Sequence, residues 1–435
     1  MNCELRARSE ARNSQLKTRN SNNHMPSLLI HNIQTLVQAE RQPRPFVAGA
    51  AMQELPTIEN AFLLCQDGRI HSFGPMAECP ERADETIDAS GRMVFPAWCD
   101  SHTHLVFAAS REAEFVARIK GLSYEEIARQ GGGILNSARR LREMPEEALL
   151  VSAYERLQEI KGFGTGAVEI KSGYGLTVES ELKMLRVIRA LKELGVMPVK
   201  ATFLGAHALP LAYRDNREGY LRLLIDEMLP RIAAEGLADY IDAFCEKGFF
   251  SVEETARLIE AGARYGLKAK VHTNQFNCMG GIQACVAGGA LSVDHLEVVN
   301  EEEIACLKGS ATMPTLLPSA PFFIGGHYQP ARQLIDAGLP VALATDYNPG
   351  TTPSGRMQFV LSLACLKCRM TPEEAINAAT LNGARAMELE HRHGTISPGK
   401  AASFFIAKPM PSIAYLPYAF GTDLVERVFI NGKAQ

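Results

Sequence analysis

The chain has 435 residues, with 45 basic side chains against 49 acidic ones, a net charge of −4 and 46% hydrophobic residues. That near balance offers no electrostatic footprint for nucleic acid or another polyanion. No apolar run approaches the roughly 18 residues of a membrane span and the N-terminus lacks the apolar core of a signal peptide, so a cytoplasmic protein with no membrane partner is expected.

In chain order, residues 1–24 are polar and lack hydrophobic periodicity, which reads as a disordered tail or an upstream extension of the start site. Residues 26–94 carry short β-type runs divided by turn residues, with Asp67-Gly68 as a hairpin signal. The same texture returns at 402–407 and 424–430, before Asn431-Gly432. The two ends are expected to pair into one composite β-sandwich domain (25–93 and 398–435), with everything between inserted.

That insertion, 94–397, alternates strand and helix. Residues 93–99 read as its first, buried strand, and it ends in Asp100-Ser101-His102-Thr103-His104. Further strands are expected near 167–171, 199–204, 240–245, 269–272, 291–295, 311–316 and 341–346, with helical patterns such as 179–194 and 252–265 between them. Eight short apolar strands separated by helices predict an α/β fold, a (β/α)8 barrel of the TIM type. Ten cysteines are scattered without a paired framework and read as reduced and structural, Cys365-x-x-Cys368 included.

In such barrels the reactive groups sit at the C-terminal ends of the strands. His102 and His104 stand at the first, His207 just after the third, His272 at the fifth, His295 at the sixth and Asp346 at the eighth. In a strand, residues two apart point the same way, so His102 and His104 can present both imidazoles to one point. Spacing alone is not specific: His391-x-His393 has it too, follows a helical segment among charged residues, and reads as solvated surface. Three imidazoles and one carboxylate suit zinc, iron or manganese, with His102, His104, His272 and Asp346 as the expected ligands. Asp346 then doubles as the proton acceptor from an attacking water, and His295 as donor to the developing oxyanion, unless it only orients a ligand.

The chain here resembles the amidohydrolase superfamily and, within it, the imidazolonepropionase family. The first resemblance rests on His102-x-His104, His272, His295 and Asp346. The second rests on Ser110-Arg111-Glu112-x-Glu114-Phe115, Gly131-Gly132-Gly133-Ile134, Glu169-Ile-Lys-Ser-Gly-Tyr-Gly175, Phe203-Leu-Gly-Ala-His207, Val271-His-x-x-Gln-Phe276 and Thr345-Asp-Tyr-Asn-Pro-Gly350, which span most of 93–400. It implies hydrolysis of the cyclic amide of 4-imidazolone-5-propanoate to N-formimidoyl-L-glutamate in histidine degradation, one Zn2+ or Fe3+ per chain, and a homodimer. Lys171 and Lys247 lie near strand ends where some binuclear relatives carry a carboxylated lysine, but the family's motifs have no bridging lysine, and both read as ion-pair partners.

A propanoate tail calls for a cation with fork geometry, which Arg111 can supply; the alternative is an ion pair with Glu112 or Glu114. Tyr174 sits in a loop where Gly173 and Gly175 are expected to let the backbone approach a ligand, Tyr124 lies in reach of the same pocket or in the core, and His207 suits the substrate ring. By the resemblance, Asn348, Gly350 and Thr351 hold the glutamate-like end through exposed turn backbone. Gln275 stands where deaminating relatives carry a glutamate; it can hydrogen-bond a substrate but cannot exchange a proton as a carboxylate does, which weighs against ring deamination. Other readings are another cyclic-amide hydrolase on the same scaffold, or a catalytically dead barrel kept for assembly. The intact ligand set weighs against the last.

Overall fold

The computed structural model describes residues 26–122, 126 and 132–435. Five strands open it: β1 (Leu28–Val37), β2 (Thr57–Gln66), β3 (Arg69–Pro75), β4 (Glu85–Asp88) and β5 (Met93–Pro96). Eight barrel strands follow: β6 (Trp98–Thr103), β7 (Thr165–Lys171), β8 (Val199–Ala206), β9 (Tyr240–Cys245), β10 (Lys268–Thr273), β11 (Ser292–His295), β12 (Met313–Leu316) and β13 (Ala342–Leu343). The chain ends in β14 (Phe404–Ala407), β15 (Val425–Ile430) and β16 (Lys433–Ala434).

The terminal strands form one eight-stranded sheet, ordered β16-β15-β14-β5-β1-β2-β3 with β4 beside β1. It curls over an apolar core in which Ile70 and Phe73 of β3 share the interior with Phe404, Ile406 and Phe429 from the C-terminus. Main-chain bonds from Ala402 N to Gly68 O and from Ile70 N to Lys400 O draw its two ends together. The result is sandwich-like packing from one hydrogen-bonded sheet. Strands from both terminal segments line the same core, so each completes the other.

The run 93–99, read from sequence as one strand, divides at Ala97. β5 pairs antiparallel with β14, whereas β6 pairs parallel with β7. Ala97 N bonds Ser403 O in the small sheet and Trp98 N bonds Gly164 O at the barrel, so the chain changes sheets within one peptide. Phe95 and Trp98, on either side of the break, both pack on Phe405, with ring centroids 5.3 and 4.9 Å away. The two bodies are thereby joined through aromatic contact.

The barrel strands are parallel and ordered β6 to β13 without crossover. Only two residues of β13 pair with β12. Closure is made further along, where Asp346 N donates to His102 O (3.0 Å) and His104 N donates to Tyr347 O (2.9 Å). Asp100 adds to the seam by accepting Thr345 N at 3.0 Å and Thr345 Oγ1 at 2.7 Å. The first and eighth strand ends, which carry three of the expected ligands, are therefore fastened directly to each other.

The barrel interior is charged. Glu169, Lys171, Asp242, Lys270 and Asp294 are all buried. Lys171 Nζ lies 2.8 Å from Glu169 Oε1, 2.8 Å from Asp242 Oδ2 and 3.6 Å from Asp294 Oδ2. Lys270 Nζ pairs with Glu169 Oε2 at 3.1 Å. Lys171 is thus an ion-pair partner of carboxylates, which hold its ammonium protonated by raising its pKa against the penalty of burial. Removing one member of a buried ion network leaves the others uncompensated and costs about 3–5 kcal/mol. Lys171→Met is accordingly expected to lower the stability of the metal-free protein by about that much in chemical denaturation; an unchanged midpoint would show that these carboxylates are not held by the lysine.

Candidate active site

The C-terminal mouth of the barrel gathers the flagged histidines. His102 Nε2 lies 3.1 Å from His272 Nε2, and His272 Nε2 lies 3.3 Å from His104 Nε2. Asp346 Oδ1 is 3.7 Å from His102 Nε2 and 3.6 Å from His104 Nε2. All four residues are buried.

The contact between His102 and His272 is not a hydrogen bond. His102 Nδ1 sits 2.7 Å from Asp294 Oδ2, and His272 Nδ1 sits 2.8 Å from Asp242 Oδ2. Each carboxylate fixes the proton on Nδ1, so the two Nε2 atoms face each other as bare lone pairs. Burial pushes the pKa values of His102, His104 and His272 well down, with Lys171 and the neighbouring imidazoles adding to the effect, so protonation does not relieve the repulsion. A cation between them does. Four ligands about 2.1 Å from a tetrahedral metal stand about 3.4 Å apart, which is the spacing found here. His102, His104 and His272 therefore form one group able to hold a metal ion, and His102, His295 and Asp346 form a second that shares His102 with it.

Local backbone holds this geometry. His295, Leu296 and Asp346 have φ of 91°, 61° and 56°, and Asn274 beside His272 has 58°. Such values in non-glycine residues are uncommon and gather at functional sites. Asn348 Nδ2 donates to Asp346 O (2.7 Å), and Thr351 Oγ1 donates to Asp346 Oδ2 (3.1 Å). Burial raises the Asp346 pKa to about 6 against the pull of His295, Thr351 and Asn348.

His295 stands beside this group, its ring centroid 5.2 Å from that of His272. Its Nδ1 is 3.2 Å from Glu297 Oε1. Burial opposes its protonation, but the Glu297 carboxylate outweighs that, and the His295 pKa lies above its ordinary value. His207 is stacked on His104, with centroids 5.4 Å apart and planes 13° from parallel, and the Tyr174 ring lies 5.3 Å from His207. The His207 Nδ1–H donates to Gly173 O at 3.0 Å, and burial pushes its pKa down to about 4. Its Nε2 is thus an acceptor.

Arg111 donates from Nε and Nη2 to Glu114 Oε2 at 2.8 and 2.6 Å. The ion pair weighed from sequence is present, and the guanidinium also reaches the turn after β13: a Cβ on Gly350 would stand 2.3 Å from Arg111 Nη1, so a side chain there would displace the guanidinium. Gln275 is buried, in a loop clamped by Glu246, which accepts Phe276 N at 2.8 Å and Asn277 Nδ2 at 2.8 Å. Tyr124 lies outside the described residues.

Three expectations are corrected. The turn backbone at Gly350 and Thr351 is not exposed, because Asn348 Oδ1 accepts both N–H groups at 2.7 and 2.8 Å. Gly173 and Gly175 bring the backbone close to protein groups: added Cβ atoms would stand 2.9 Å from His207 Nδ1 and 2.4 Å from Glu181 N. His393 is buried, with its pKa pushed down to about 4 by burial, while His391 is exposed. Sequence reading also missed Asp242, Asp294 and Glu297. Their signal was present as acids inside or next to apolar strands, as in Tyr-Ile-Asp-Ala-Phe-Cys at 240–245.

A site built on these atoms binds metal in competition with a single proton on Asp346, since the imidazoles titrate far lower. The zinc affinity of the metal-free protein should fall about tenfold per pH unit below about 6 and level off above it. A decline beginning near pH 7 would instead implicate ordinary imidazoles.

Comparison with known proteins agrees with this geometry. A family model described as "Amidohydrolase family" matches residues 93–434. Imidazolonepropionase from Christiangramia forsetii is 57% identical over 94% of this chain and 99% of its own length. The imidazolonepropionase of Flavobacterium johnsoniae is 58% identical over 93% and 99%, and that of Caldanaerobacter subterraneus subsp. tengcongensis is 40% identical over 92% and 96%. Among solved structures, guanine deaminase from E. coli superposes with a TM-score of 0.70 at 17% identity, covering 94% of this chain and 98% of that one. Adenosine deaminase from Xanthomonas campestris with bound zinc gives 0.69 at 17%, covering 94% and 92%. At that identity the likeness concerns the fold alone. The chain belongs to the amidohydrolase family and, within it, to the imidazolonepropionases.

Proposed function

We propose that this protein hydrolyses the cyclic amide of 4-imidazolone-5-propanoate to N-formimidoyl-L-glutamate, a step of histidine degradation, with one Zn2+ or Fe3+ held by His102, His104, His272 and Asp346. The observation that carries the metal assignment is the 3.1 Å approach of two Nε2 lone pairs whose Nδ1 protons are fixed by Asp294 and Asp242. Identity to named relatives carries the substrate class.

When bound, the ion supplies Lewis acidity and a water made nucleophilic near neutral pH. Asp346, with a pKa raised to about 6, is poised to accept the proton of the water that attacks the ring carbonyl carbon. His295, its Nδ1 held 3.2 Å from Glu297 Oε1, donates a hydrogen bond to the carbonyl oxygen as negative charge develops there. The carbonyl carbon–nitrogen bond then breaks, and the proton held by Asp346 passes to the departing ring nitrogen, which leaves a carboxylate and a formimidoyl amine. No second carboxylate is required at Gln275.

Arg111 is assigned the propanoate tail, with Glu114 holding the Nε–Nη2 edge of its guanidinium and Gly350 beside Nη1. His207 Nε2, Tyr174 and the Gln275 carboxamide address the ring. Asn348, Gly350 and Thr351 serve the glutamate-like end, Asn348 by shaping the turn. Asn348 and Thr351 also orient Asp346.

The test is loss of ultraviolet absorbance of freshly generated 4-imidazolone-5-propanoate with purified protein, paired with metal analysis; formimidoylglutamate and about one metal per chain are expected. A full metal site without turnover would discard the substrate and keep the hydrolase chemistry. His272→Ala should abolish metal and activity together in a folded protein. Arg111→Ala should raise KM about a hundredfold, the worth of one charge-assisted carboxylate contact of about 3 kcal/mol. An unchanged KM would remove Arg111 from the carboxylate site.

A further inference from the structure

The loop 172–176 joins β7 to the helix Val178–Leu194 and carries Tyr174. Its backbone is bent into left-handed conformations at two points, Gly173 with φ 108° and Leu176 with φ 56°. As a consequence the N–H groups of Gly173, Gly175 and Leu176 converge on one spot, and the spot is filled by the carboxylate of Glu181. Oε2 accepts from Gly173 N at 3.1 Å, and Oε1 accepts from Gly175 N at 2.7 Å and Leu176 N at 2.9 Å. Ser172 contributes a side-chain hydrogen bond as well. Glu181 is fully buried.

Helix capping does not account for this arrangement. The helix start is already served by Thr177, whose side chain accepts Ser180 N. A glutamate in the first turn satisfies the helix dipole from the surface, without losing its hydration. Burying a carboxylate is costly unless several donors meet it, so four donors from one short loop indicate that the loop's shape is what the carboxylate serves.

The far side of the same loop faces the pocket. The peptide that Glu181 grips through Gly173 N belongs to the residue whose carbonyl accepts the Nδ1–H of His207. No side chain fits between them, since a Cβ on Gly173 would stand 2.9 Å from His207 Nδ1. Tyr174, held between the two clamped glycines, packs 5.3 Å from His207 and 5.9 Å from His104. A continuous path therefore runs from the Glu181 carboxylate through one residue to the imidazole, and it fixes which nitrogen of His207 keeps its lone pair.

We infer that Glu181 is a positioning residue for substrate binding: it holds the Tyr174 loop in the strained form that presents His207 as a neutral acceptor for a ring N–H of the substrate. This rests on the reading of Tyr174 and His207 as substrate-contacting residues. Glu181→Gln tests it, because the isostere keeps an oxygen for Gly175 and Leu176 but turns an NH2 against Gly173 N–H.

Steady-state kinetics with 4-imidazolone-5-propanoate should show KM raised about tenfold, kcat within about threefold of the parent and metal content unchanged. The decisive readout is a double-mutant cycle with His207→Gln: if Glu181 acts through His207, Glu181→Gln adds little to KM in the His207→Gln background, whereas a general loss of structure adds fully. Additive effects, or an unchanged KM for Glu181→Gln while His207→Gln and Tyr174→Phe raise it, would overturn the inference and leave the substrate site standing. Unchanged KM in His207→Gln and Tyr174→Phe would overturn the substrate site itself. Should Glu181→Gln fail to fold, Glu181→Asp, which keeps the charge but withdraws it by one methylene, is read in the same cycle.

Discussion

Two imidazole nitrogens that face each other with bare lone pairs at 3.1 Å are the constraint around which this barrel is arranged. Left alone they repel, and the ordinary escape, protonating one ring, is closed by burial and by the nearby Lys171 ammonium. What keeps the rings in place is their other edge. Asp294 and Asp242 each hold an Nδ1–H, and Lys171 ties Asp242 to Glu169, with Asp294 at 3.6 Å. The barrel thus contains a charged floor beneath the site. Its net cost in stability is the usual one for ions taken out of water, and its return is a donor set held at metal-binding spacing without further rearrangement.

The register of the barrel follows the same demand. The closing bonds between first and eighth strands run through His102, His104, Asp346 and Tyr347, so barrel closure and ligand placement are one event. Left-handed backbone occurs there too, at Asp346, His295 and Asn274, and hydrogen bonds from Asn348 and Thr351 hold the Asp346 main-chain oxygen and carboxylate. Around this floor the loops supply different functions from similar parts. Glu246 clamps the Gln275 loop, Glu181 clamps the Tyr174 loop, and Glu114 clamps Arg111. In each case a partly or fully buried carboxylate holds a loop or a side chain beside the site.

Much of this was legible in the residues themselves. The alternation of apolar strand and amphipathic helix announces a parallel barrel, because both faces of each strand must be covered. His-x-His at the end of such a run, with later histidines and an acid at other strand ends, announces a site, because strand periodicity and barrel topology bring those ends to one rim. The glutamine at 275 speaks against a deaminase from its chemistry alone. Family motifs from 110 to 350 narrow the substrate.

Other features depended on contacts that no local pattern contains. Sequence could not separate 93–99 into two strands, since the break at Ala97 arises from which partner each half finds, β14 or β7. It could not distinguish His393, which is buried, from the exposed His391 two residues before it, because the local sequence around the two is the same. It could not assign Asp242, Asp294 or Glu181, whose roles are set by what lies across the barrel or along the loop and not by their neighbours in sequence. The chain by itself determined which groups are available and at which strand ends they stand. Only tertiary structure decided which nitrogen of each imidazole carries the proton, and therefore which lone pairs remain to bind, because that choice belongs to the partner on the ring's other side.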